Sequence, residues 1–406
     1  MSEPLSIGLV AIGGYGNFYV RALLDGAPPE EYRIAGIVDP MAERSPRLDD
    51  LKQRGIPIYD TLGEFYAKHR ADLVTIASPI HLHCPQTCEA LANGSNVLCE
   101  KPLGATIQEA QAMIDARDAA GKFVAIGYQW SFCAAIQELK KDILSGCFGR
   151  PRRLRTIVLW PRKDSYYGRN AWAGALRNER GDWVLDSPVN NATAHYLHNM
   201  LYVIGDAVDR SARITSVQAE LYRANPITNY DTGAAKIITD SGVELLYIAS
   251  HPVSRQHGPE FIFEFENGTV RFGGGLKTVQ AEFDNGTTKD YGDPQAAGET
   301  KLWNCMSAAL GKGQIVCGPE AASAQTLCMN AMQESMPQIS AFPDDVVKTD
   351  GAPGDQLTYV EGLDDALRAC FEANQLPSEA GLPWARGGTK IDVTAYDEFP
   401  SPGYPA

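Results

Sequence analysis

The sequence lacks an excess of positive charge. Its 406 residues include 36 lysines and arginines against 50 aspartates and glutamates, which gives a formal net charge of −14 at pH 7. Phosphate backbones and anionic membrane surfaces attract basic proteins, so this balance predicts neither nucleic acid nor a membrane as a partner. It leaves anionic small molecules open, because a local arginine cluster can oppose the overall sign.

The sequence also lacks long apolar runs and an even set of cysteines. No apolar run approaches the ~20 residues that a membrane span needs. The first predicted strand, Leu5–Ala11, starts almost at Met1, so no secretory signal is expected. The nine cysteines are scattered, as is typical of reduced core residues, and we expect a cytoplasmic protein. The cluster His81–Cys88 has no second group of ligands elsewhere, so we predict no metal site.

The first 127 residues alternate short apolar segments with helical patterns. The strand-like segments are Leu5–Ala11, Arg33–Val38, Ile56–Tyr59, Leu73–Ala77, Asn96–Cys99 and Phe123–Ile126. Strands that alternate with helices of about 10–15 residues are typical of βαβ units in a parallel sheet with right-handed crossovers. The fold class is therefore predicted as α/β over residues 1–127.

The first turn resembles a dinucleotide-binding loop. It reads Ala11-Ile12-Gly13-Gly14-Tyr15-Gly16, where the usual pattern is G-x-G-x-x-G and Ala11 replaces the first glycine. Asp39 closes the second strand 23 residues after Gly16, where a carboxylate accepts hydrogen bonds from ribose hydroxyls and repels a 2′-phosphate. We predict a Rossmann domain that binds NAD through Ile12, Gly13, Gly14, Tyr15, Gly16 and Asp39. Two alternatives stay open: Asp39 merely caps the segment before Pro40, and Arg44 favours NADP.

The most informative segment is Glu100-Lys101-Pro102, which follows the buried strand Asn96–Cys99. Open α/β sheets bind ligands at the carboxyl ends of their strands, so Lys101 is placed to meet whatever the Gly-rich turn holds. The pair of motifs predicts an enzyme with Lys101 as a catalytic residue.

From about Ser131 the pattern changes to helices followed by hairpins. The turns Asp240-Ser241-Gly242, Asn267-Gly268 and Asn285-Gly286 are strong hairpin signals. We predict an α+β domain over 128–345 with a large, mostly antiparallel sheet for substrate binding and oligomerisation, and a strap over 346–406 packed on the domains. Phe261, Phe263, Phe265 and the run Leu245–Ile248 suggest a sheet face covered by a second copy, in a homodimer or homotetramer. A solvated face is the alternative.

Together these motifs resemble the Gfo/Idh/MocA oxidoreductases, a family that includes glucose–fructose oxidoreductase and inositol dehydrogenases. The resemblance spans residues 1 to about 340, and E-K-P is its most specific element. The stretch from Ser78 to His83 is similar to the family's T-P-x-x-x-H segment beside the nicotinamide ribose, and Gly127-Tyr128-Gln129 is similar to its G-F-N. The resemblance implies that Ser78, Pro79, His83, Glu100, Lys101 and Gln129 contribute to the cofactor site.

The family's second signature, D-x-G-x-H-x-x-D, is matched by the stretch from Asn191 to His198. The resemblance makes His195 the catalytic histidine. Asn191 stands where an aspartate is usual, Thr193 replaces the glycine, and His198 stands where a second acid is usual. Asparagine can hydrogen-bond but carries no charge, so these departures leave the substrate and the reaction direction open. His195 and His198 are three residues apart, and we expect them to share a helix face.

The loop from Trp160 to Arg180 combines aromatic and basic residues. Aromatic faces beside multi-donor side chains suit a sugar or cyclitol, and an interface loop is an equal alternative. Arg162 and Lys163 would also suit the carboxylate of an acidic sugar. The predicted substrate residues are Lys101, Tyr128, Trp160, Trp172, Asn191 and His195.

The resemblance implies an NAD-dependent dehydrogenase that acts on a secondary alcohol of a sugar, cyclitol or derivative. His195 would be the general base, since an imidazole with a pKa near ~6.5 suits neutral pH, while Lys101 would stabilise the alkoxide and Asn191 would fix a neighbouring hydroxyl. The main alternative is an NAD-dependent glycosidase or lyase with a transient redox cycle, in which Tyr128, Tyr166 or Tyr167 acts as acid or base. A non-catalytic dinucleotide sensor is a third interpretation.

Overall fold

The computed structural model describes residues 3–296, 298–402 and 404. Its strands are β1 (Leu5–Val10), β2 (Tyr32–Val38), β3 (Ile58–Tyr59), β4 (Leu73–Ile76), β5 (Asn96–Cys99), β6 (Val124–Ile126), β7 (Pro151–Leu159), β8 (Ile214–Arg223), β9 (Thr232–Thr239), β10 (Glu244–Ser250), β11 (His257–Phe265), β12 (Gly268–Gly273), β13 (Leu276–Phe283), β14 (Thr288–Gly292), β15 (Ser340–Ala341), β16 (Val347–Asp350), β17 (Leu357–Val360) and β18 (Ile391–Asp392). Its α-helices are α1 (Asn17–Asp25), α2 (Leu48–Gln53), α3 (Leu62–Lys68), α4 (Ile80–Ala92), α5 (Ile107–Ala120), α6 (Gln129–Phe132), α7 (Ala134–Ser145), α8 (Asp164–Tyr167), α9 (Ala194–Val203), α10 (Thr300–Ala309), α11 (Pro319–Ser335) and α12 (Leu363–Ala373). Among these helices, none is long and apolar enough to cross a membrane.

The chain divides into two compact units. The first contains the chain up to Gly104, Gln108–Cys133 and Gln295–Ser323, and the second contains Ala105–Ile107, Ala134–Pro294 and the chain from Ala324 onward. The segment Gln295–Ser323, which lies within the second predicted domain, thus returns to the first unit. The predicted functional division into 1–127, 128–345 and 346–406 stays a prediction.

The first unit is built on a parallel sheet of six strands in the order β3-β2-β1-β4-β5-β6. Every residue of β1 is buried, as expected for a strand whose sheet carries helices on both faces. The predicted α/β Rossmann architecture is confirmed. Because the strands are parallel, the segments that follow β1, β2, β4 and β5 all leave the sheet at its carboxyl edge.

The second unit contains a large mixed sheet in the order β14-β13-β12-β11-β7-β10-β9-β8-β15. Most neighbours are antiparallel, which confirms the predicted α+β domain, but β7 and β10 run parallel with Leu159 opposite Ser250. The backbone N–H of Trp160 donates to the carbonyl of Ser250 at 2.9 Å. The residues that follow β7 and β10 therefore emerge side by side.

The C-terminal segment covers one face of this sheet. Ile157, Ile248 and Ile262 form an apolar cluster with Leu367 and Phe371 of α12. The central strands of this face are thus covered by the chain's own C-terminal residues, without a second copy.

The three phenylalanines of β11 lie on the opposite face and are buried within this chain itself, so the prediction that a second copy covers them was wrong. Side chains alternate along a strand, and Ile262 points toward the C-terminal segment. The ring of Phe265 instead lies 5.0 Å from that of Phe148, just after α7. Homo-oligomerisation through the sheet stays a prediction.

Candidate active site

The Gly-rich turn has the backbone geometry of a phosphate cradle. Ala11 adopts a positive φ of 61°, the conformation that a glycine usually provides at this position. A Cβ on Gly16 would lie 1.8 Å from the carbonyl oxygen of Ala11, so only glycine fits where α1 begins. Above Gly13, the nearest atom to a Cβ would be the Cβ of Arg44 at 3.9 Å. A phosphate can therefore approach this backbone closely, which fits a bound dinucleotide.

Asp39 lies beside this turn. Its Oδ2 accepts the backbone N–H of Ile12 and its Oδ1 accepts that of Met41, both at 2.8 Å. The carboxylate thus joins β2 to the Gly-rich turn and also caps its own segment, as the alternative interpretation expected. Each oxygen keeps a second lone pair that can accept a ribose hydroxyl. The ribose role stays a prediction.

His83 joins two of the turns at the carboxyl edge. Its ring is 1 % exposed, with Nδ1 2.7 Å from the carbonyl of Pro102 and Nε2 2.9 Å from that of Ser78. Burial lowers the pKa of His83, although both carbonyl contacts oppose this shift. Ser78 donates its hydroxyl to Gln86 at 2.6 Å. These contacts fix the turns after β4 and β5, and the predicted contacts of Ser78, Pro79 and His83 with a cofactor stay predictions.

A buried lysine that the sequence analysis missed joins three of the motifs found in the sequence. Lys301 of α10 is fully buried and bonds both the carboxylate of Glu100 and, at 3.0 Å, the hydroxyl of Tyr15. Tyr15 in turn donates to Gln129 at 3.2 Å. The Gly-rich turn, E-K-P and G-Y-Q are therefore connected through one ammonium group.

The carboxylate of Glu100 is held from several sides. Tyr19 donates its hydroxyl to it at 2.5 Å, and the backbone N–H of Lys101 donates at 3.2 Å. A Cβ on Gly127 would lie 2.8 Å from Oε1 of Glu100, so the glycine of G-Y-Q leaves the space that this carboxylate fills. Lys101, half-buried directly after β5, is thereby fixed at its backbone beside the Gly-rich turn.

The electrostatics of this network favour a charged lysine and neutral phenols. Burial by itself lowers the pKa of Lys301, but the charge of Glu100 and the hydrogen bonds to Glu100 and Tyr15 outweigh it, so the pKa is raised. Burial and the charge of Glu100 raise the pKa of Tyr15 and of Tyr19. Glu100 is consequently the counter-ion of Lys301.

In the second unit, Asn191 lies against a carboxylate that the sequence analysis also missed. Its Nδ2 donates to Oδ1 of Asp186 at 2.7 Å. Oδ2 of Asp186 accepts the N–H of Gly174 at 2.6 Å and bonds Arg169 at 3.2 Å, and Asp186 is only 2 % exposed. Asp186, which accepts this hydrogen bond, thus supplies the negative charge that position 191 lacks.

His195 is the second residue of α9, which follows a π-helical turn over Pro188–Ala192. Its ring centroid lies 6.4 Å from that of Tyr196, whose ring meets Trp160 edge-on at 5.7 Å. The neighbouring His198 is enclosed: it stacks on Tyr202, and burial together with the charge of Lys140 lowers its pKa to about 3. The two histidines are three residues apart and were expected to share a helix face. His195, however, is only partly buried, whereas His198 packs as a neutral core residue.

In the loop from Trp160 to Arg180, guanidinium groups stack on aromatic rings of the same loop. The guanidinium of Arg169 lies 3.9 Å from the ring centroid of Tyr166 and 5.4 Å from that of Trp172, and that of Arg162 lies 5.4 Å from that of Trp160. Such stacking keeps cations and rings in fixed positions. Tyr128, by contrast, is fully buried. The substrate roles of Tyr128, Trp160 and Trp172 stay predictions.

Comparison with known proteins identifies the first unit. Residues 5–128 match the profile of an oxidoreductase family with an NAD-binding Rossmann fold, named GFO_IDH_MocA. Over these residues the chain resembles the Gfo/Idh/MocA oxidoreductases. The resemblance drawn from E-K-P and its companion motifs is confirmed.

Two curated relatives share part of this sequence. It is 34 % identical over 143 residues to the rhizopine catabolism protein MocA of Rhizobium meliloti, covering 35 % of this chain and 43 % of that protein. It is 26 % identical over 209 residues to an inositol 2-dehydrogenase of Rubrobacter xylanophilus, covering 51 % and 54 %. The chain spans about half the length of these relatives.

The fold of this chain also matches solved structures. The WlbA dehydrogenase from Bordetella pertussis, in complex with NADH and UDP-GlcNAcA, has a TM-score of 0.68 at 22 % identity, covering 82 % of this chain and 97 % of that one. At this identity the likeness is one of fold.

Within the described residues, no group of three or more His, Cys, Asp and Glu side chains could hold a metal ion.

The contact between Asn191 and Asp186 gives a physical reason against an aspartate at position 191. Asn191→Asp would place two carboxylates at the 2.7 Å separation now joined by a hydrogen bond, and like charges this close cannot both ionise. One carboxyl would then have a raised pKa in the folded state, so stability is kept at low pH and lost as pH rises. We expect the variant to lose about 1–3 kcal/mol of unfolding free energy at pH 7.5 relative to wild type, and much less at pH 4.5.

Urea unfolding of both proteins at the two pH values measures this difference. The exchanged pair Asn191→Asp with Asp186→Asn keeps one charge and one amide and should recover most of the loss. An equal loss at both pH values would show that charge repulsion is not the cause.

Proposed function

We propose that this protein is an NAD-dependent dehydrogenase that oxidises or forms a secondary alcohol on a sugar, cyclitol or sugar derivative. The observation that carries the proposal is the bridge from Tyr15 through Lys301 to Glu100, because it holds Lys101 beside the dinucleotide-binding turn. An inositol 2-dehydrogenase among the relatives, and the NADH-bound fold neighbour with a sugar nucleotide, support the substrate class.

Each candidate residue has a role that its surroundings favour. When bound, the nicotinamide exchanges a hydride with the carbinol carbon of the substrate. Lys101 would donate a hydrogen bond to the carbinol oxygen and stabilise its developing negative charge. His195 would accept the hydroxyl proton as general base, and Asn191, oriented by Asp186, would position a neighbouring hydroxyl.

The preference for NAD over NADP is part of the proposal and depends on Asp39. The carboxylate repels a 2′-phosphate, whereas Arg44, next to Gly13, would attract one. We expect Asp39→Asn to bind NADPH about tenfold more tightly or better, since removing one repulsion at ~4 Å is worth roughly 1–4 kcal/mol. The amide oxygen can still accept the N–H of Ile12 in the Gly-rich turn, while the bond from the N–H of Met41 is lost.

Fluorescence titration with NADH and NADPH measures this ratio. The exposed Asp49→Asn should leave it unchanged, and adding Arg44→Ala to Asp39→Asn should remove most of the gain. An unchanged ratio in Asp39→Asn would assign Asp39 to capping alone.

The function itself is tested by incubating the purified protein with NAD and a panel of sugars, cyclitols and sugar acids. NADH absorbance and product analysis are recorded together. Accumulation of NADH with an oxidised product supports a dehydrogenase. Substrate consumption without net NADH would instead support the transient redox cycle of a glycosidase or lyase, and no reaction across the panel would count against the proposal.

A further inference from the structure

Three buried polar atoms without a hydrogen-bond partner surround the ring of Tyr166. Within the described residues they are Nε of Arg162, Oη of Tyr167 and Nε2 of His251. The ring of Tyr166 lies 5.2 Å from that of Tyr167, 5.5 Å from that of His251 and 5.0 Å from the guanidinium of Arg162. Buried polar groups are almost always bonded, so three exceptions around one ring indicate that a ligand completes them.

Arg162 supplies a positive charge in a fixed orientation. Its guanidinium is held over the rings of Trp160 and Tyr166. Among the described carboxylates, none lies within 4.0 Å of it in an ion pair, whereas Arg169 beside it is paired with Asp186.

Two buried acids whose charges act on Tyr167, Asp186 and Asp231, are engaged elsewhere. Asp186 bonds Arg169, Asn191 and the N–H of Gly174. Asp231 accepts the backbone N–H groups of Ala224 and Asn225. Arg162 is therefore the cation of this cluster that is left to pair with a ligand.

His251 and Tyr167 supply an acceptor and a donor. Nδ1 of His251 lies 2.9 Å from the carbonyl of Trp160, so this nitrogen carries the proton and Nε2 presents a lone pair. Burial and the charge of Arg162 lower the pKa of His251 to about 3, which keeps the ring neutral. Burial and the charge of Asp231 raise the pKa of Tyr167, which keeps its phenol protonated.

The cluster adjoins the candidate general base. Trp160 and His251 directly follow the parallel pair β7 and β10, and so emerge side by side. Trp160 meets Tyr196 edge-on, and Tyr196 neighbours His195. A substrate at His195 could therefore extend toward Arg162 along this row of rings.

We infer that Arg162, Tyr167 and His251 form a subsite for a carboxylate and an adjacent hydroxyl, so that the substrate is a sugar acid or cyclitol acid. The inference rests on the proposed function. The carboxylate would pair with Arg162 and accept from Tyr167, and the hydroxyl would donate to His251. A neutral sugar would leave the Arg162 charge unpaired and should be a poorer substrate.

The test compares acids with neutral partners of the same shape, such as D-glucuronate with D-glucuronamide and D-galacturonate with D-galactose. Wild type should favour the acid in kcat/KM by about tenfold or more. Arg162→Gln should lower kcat/KM for acids about 10- to 100-fold, mostly through KM, and leave the neutral partners and NADH affinity nearly unchanged. Arg162→Lys should recover part of the preference, because it keeps the charge but not the planar fork. Arg368→Gln, an exposed arginine on α12, serves as the matched control.

Binding of the same compounds to the NADH-loaded protein, followed by calorimetry, separates the two proposals. Acids that bind and lose affinity in Arg162→Gln support the subsite even if no compound is turned over, in which case the proposed reaction fails. Equal use of acid and neutral partners, an Arg162→Gln variant that weakens both alike, or no binding by any acid would overturn the subsite.

Discussion

Lys101→Ala is expected to reduce kcat by about 10²- to 10⁴-fold while leaving the affinity for NADH within about twofold. The proposed ammonium group donates to the oxygen on which charge develops, so its loss affects the transition state more than binding. The backbone of Lys101 is held by Glu100, and that carboxylate keeps Lys301 as its counter-ion in the variant. The Gly-rich turn should therefore stay in place.

Steady-state rates with the best substrate, together with NADH titration, check both halves of this expectation. Lys122→Ala, an exposed lysine of the same unit, controls for the loss of one positive charge. Activity within about tenfold of wild type would remove Lys101 from the chemistry. A parallel loss of NADH binding would assign it to the cofactor instead.

The alternation of strands and helices predicted the parallel sheet because buried parallel strands are continuous apolar runs, a pattern visible in the chain itself. The sequence did not predict which elements cover each face of the second sheet. Phe261, Phe263 and Phe265 occupy alternate positions and so share one face, but this pattern does not say whether that face packs against the segment after α7 or against α12. The answer depends on a segment about one hundred residues later in the chain, and local periodicity carries no information about such a distant contact.

The motifs of the candidate site were found from sequence, but their supporting residues were not. Lys301 has a weak local signal, since it lies four residues before the buried Cys305 and shares the inner face of α10. Nothing nearby indicates that its partner is Glu100, 201 residues away. Asp186 is closer to Asn191, yet it sits in a loop whose turn geometry brings the two together, and spacing alone does not show this.

Lys301→Met is expected to cost about 3–5 kcal/mol of unfolding free energy, because it leaves the carboxylate of Glu100 buried without its counter-ion. The raised pKa of Lys301 gives the effect a defined pH window. The stabilisation is fully present below the ordinary lysine pKa near ~10.4 and is lost only as pH rises through the higher pKa of the folded state. The loss should therefore be constant between pH 6 and pH 9. Denaturant unfolding at several pH values measures it.

Two further variants separate the ion pair from simple packing. Lys312→Met removes a lysine of the same unit that is 59 % exposed and paired with Glu30, and should cost less than about 1 kcal/mol. Adding Glu100→Gln to Lys301→Met removes the stranded charge and should restore much of the stability, because an amide is far less costly to bury than a carboxylate. A double variant as unstable as Lys301→Met alone would mean that the lysine acts through its packing against Tyr15, Phe18 and Tyr19. If Lys301→Met also weakens NADH binding, and the double variant recovers stability but not NADH affinity, Lys301 positions the Gly-rich turn through Tyr15.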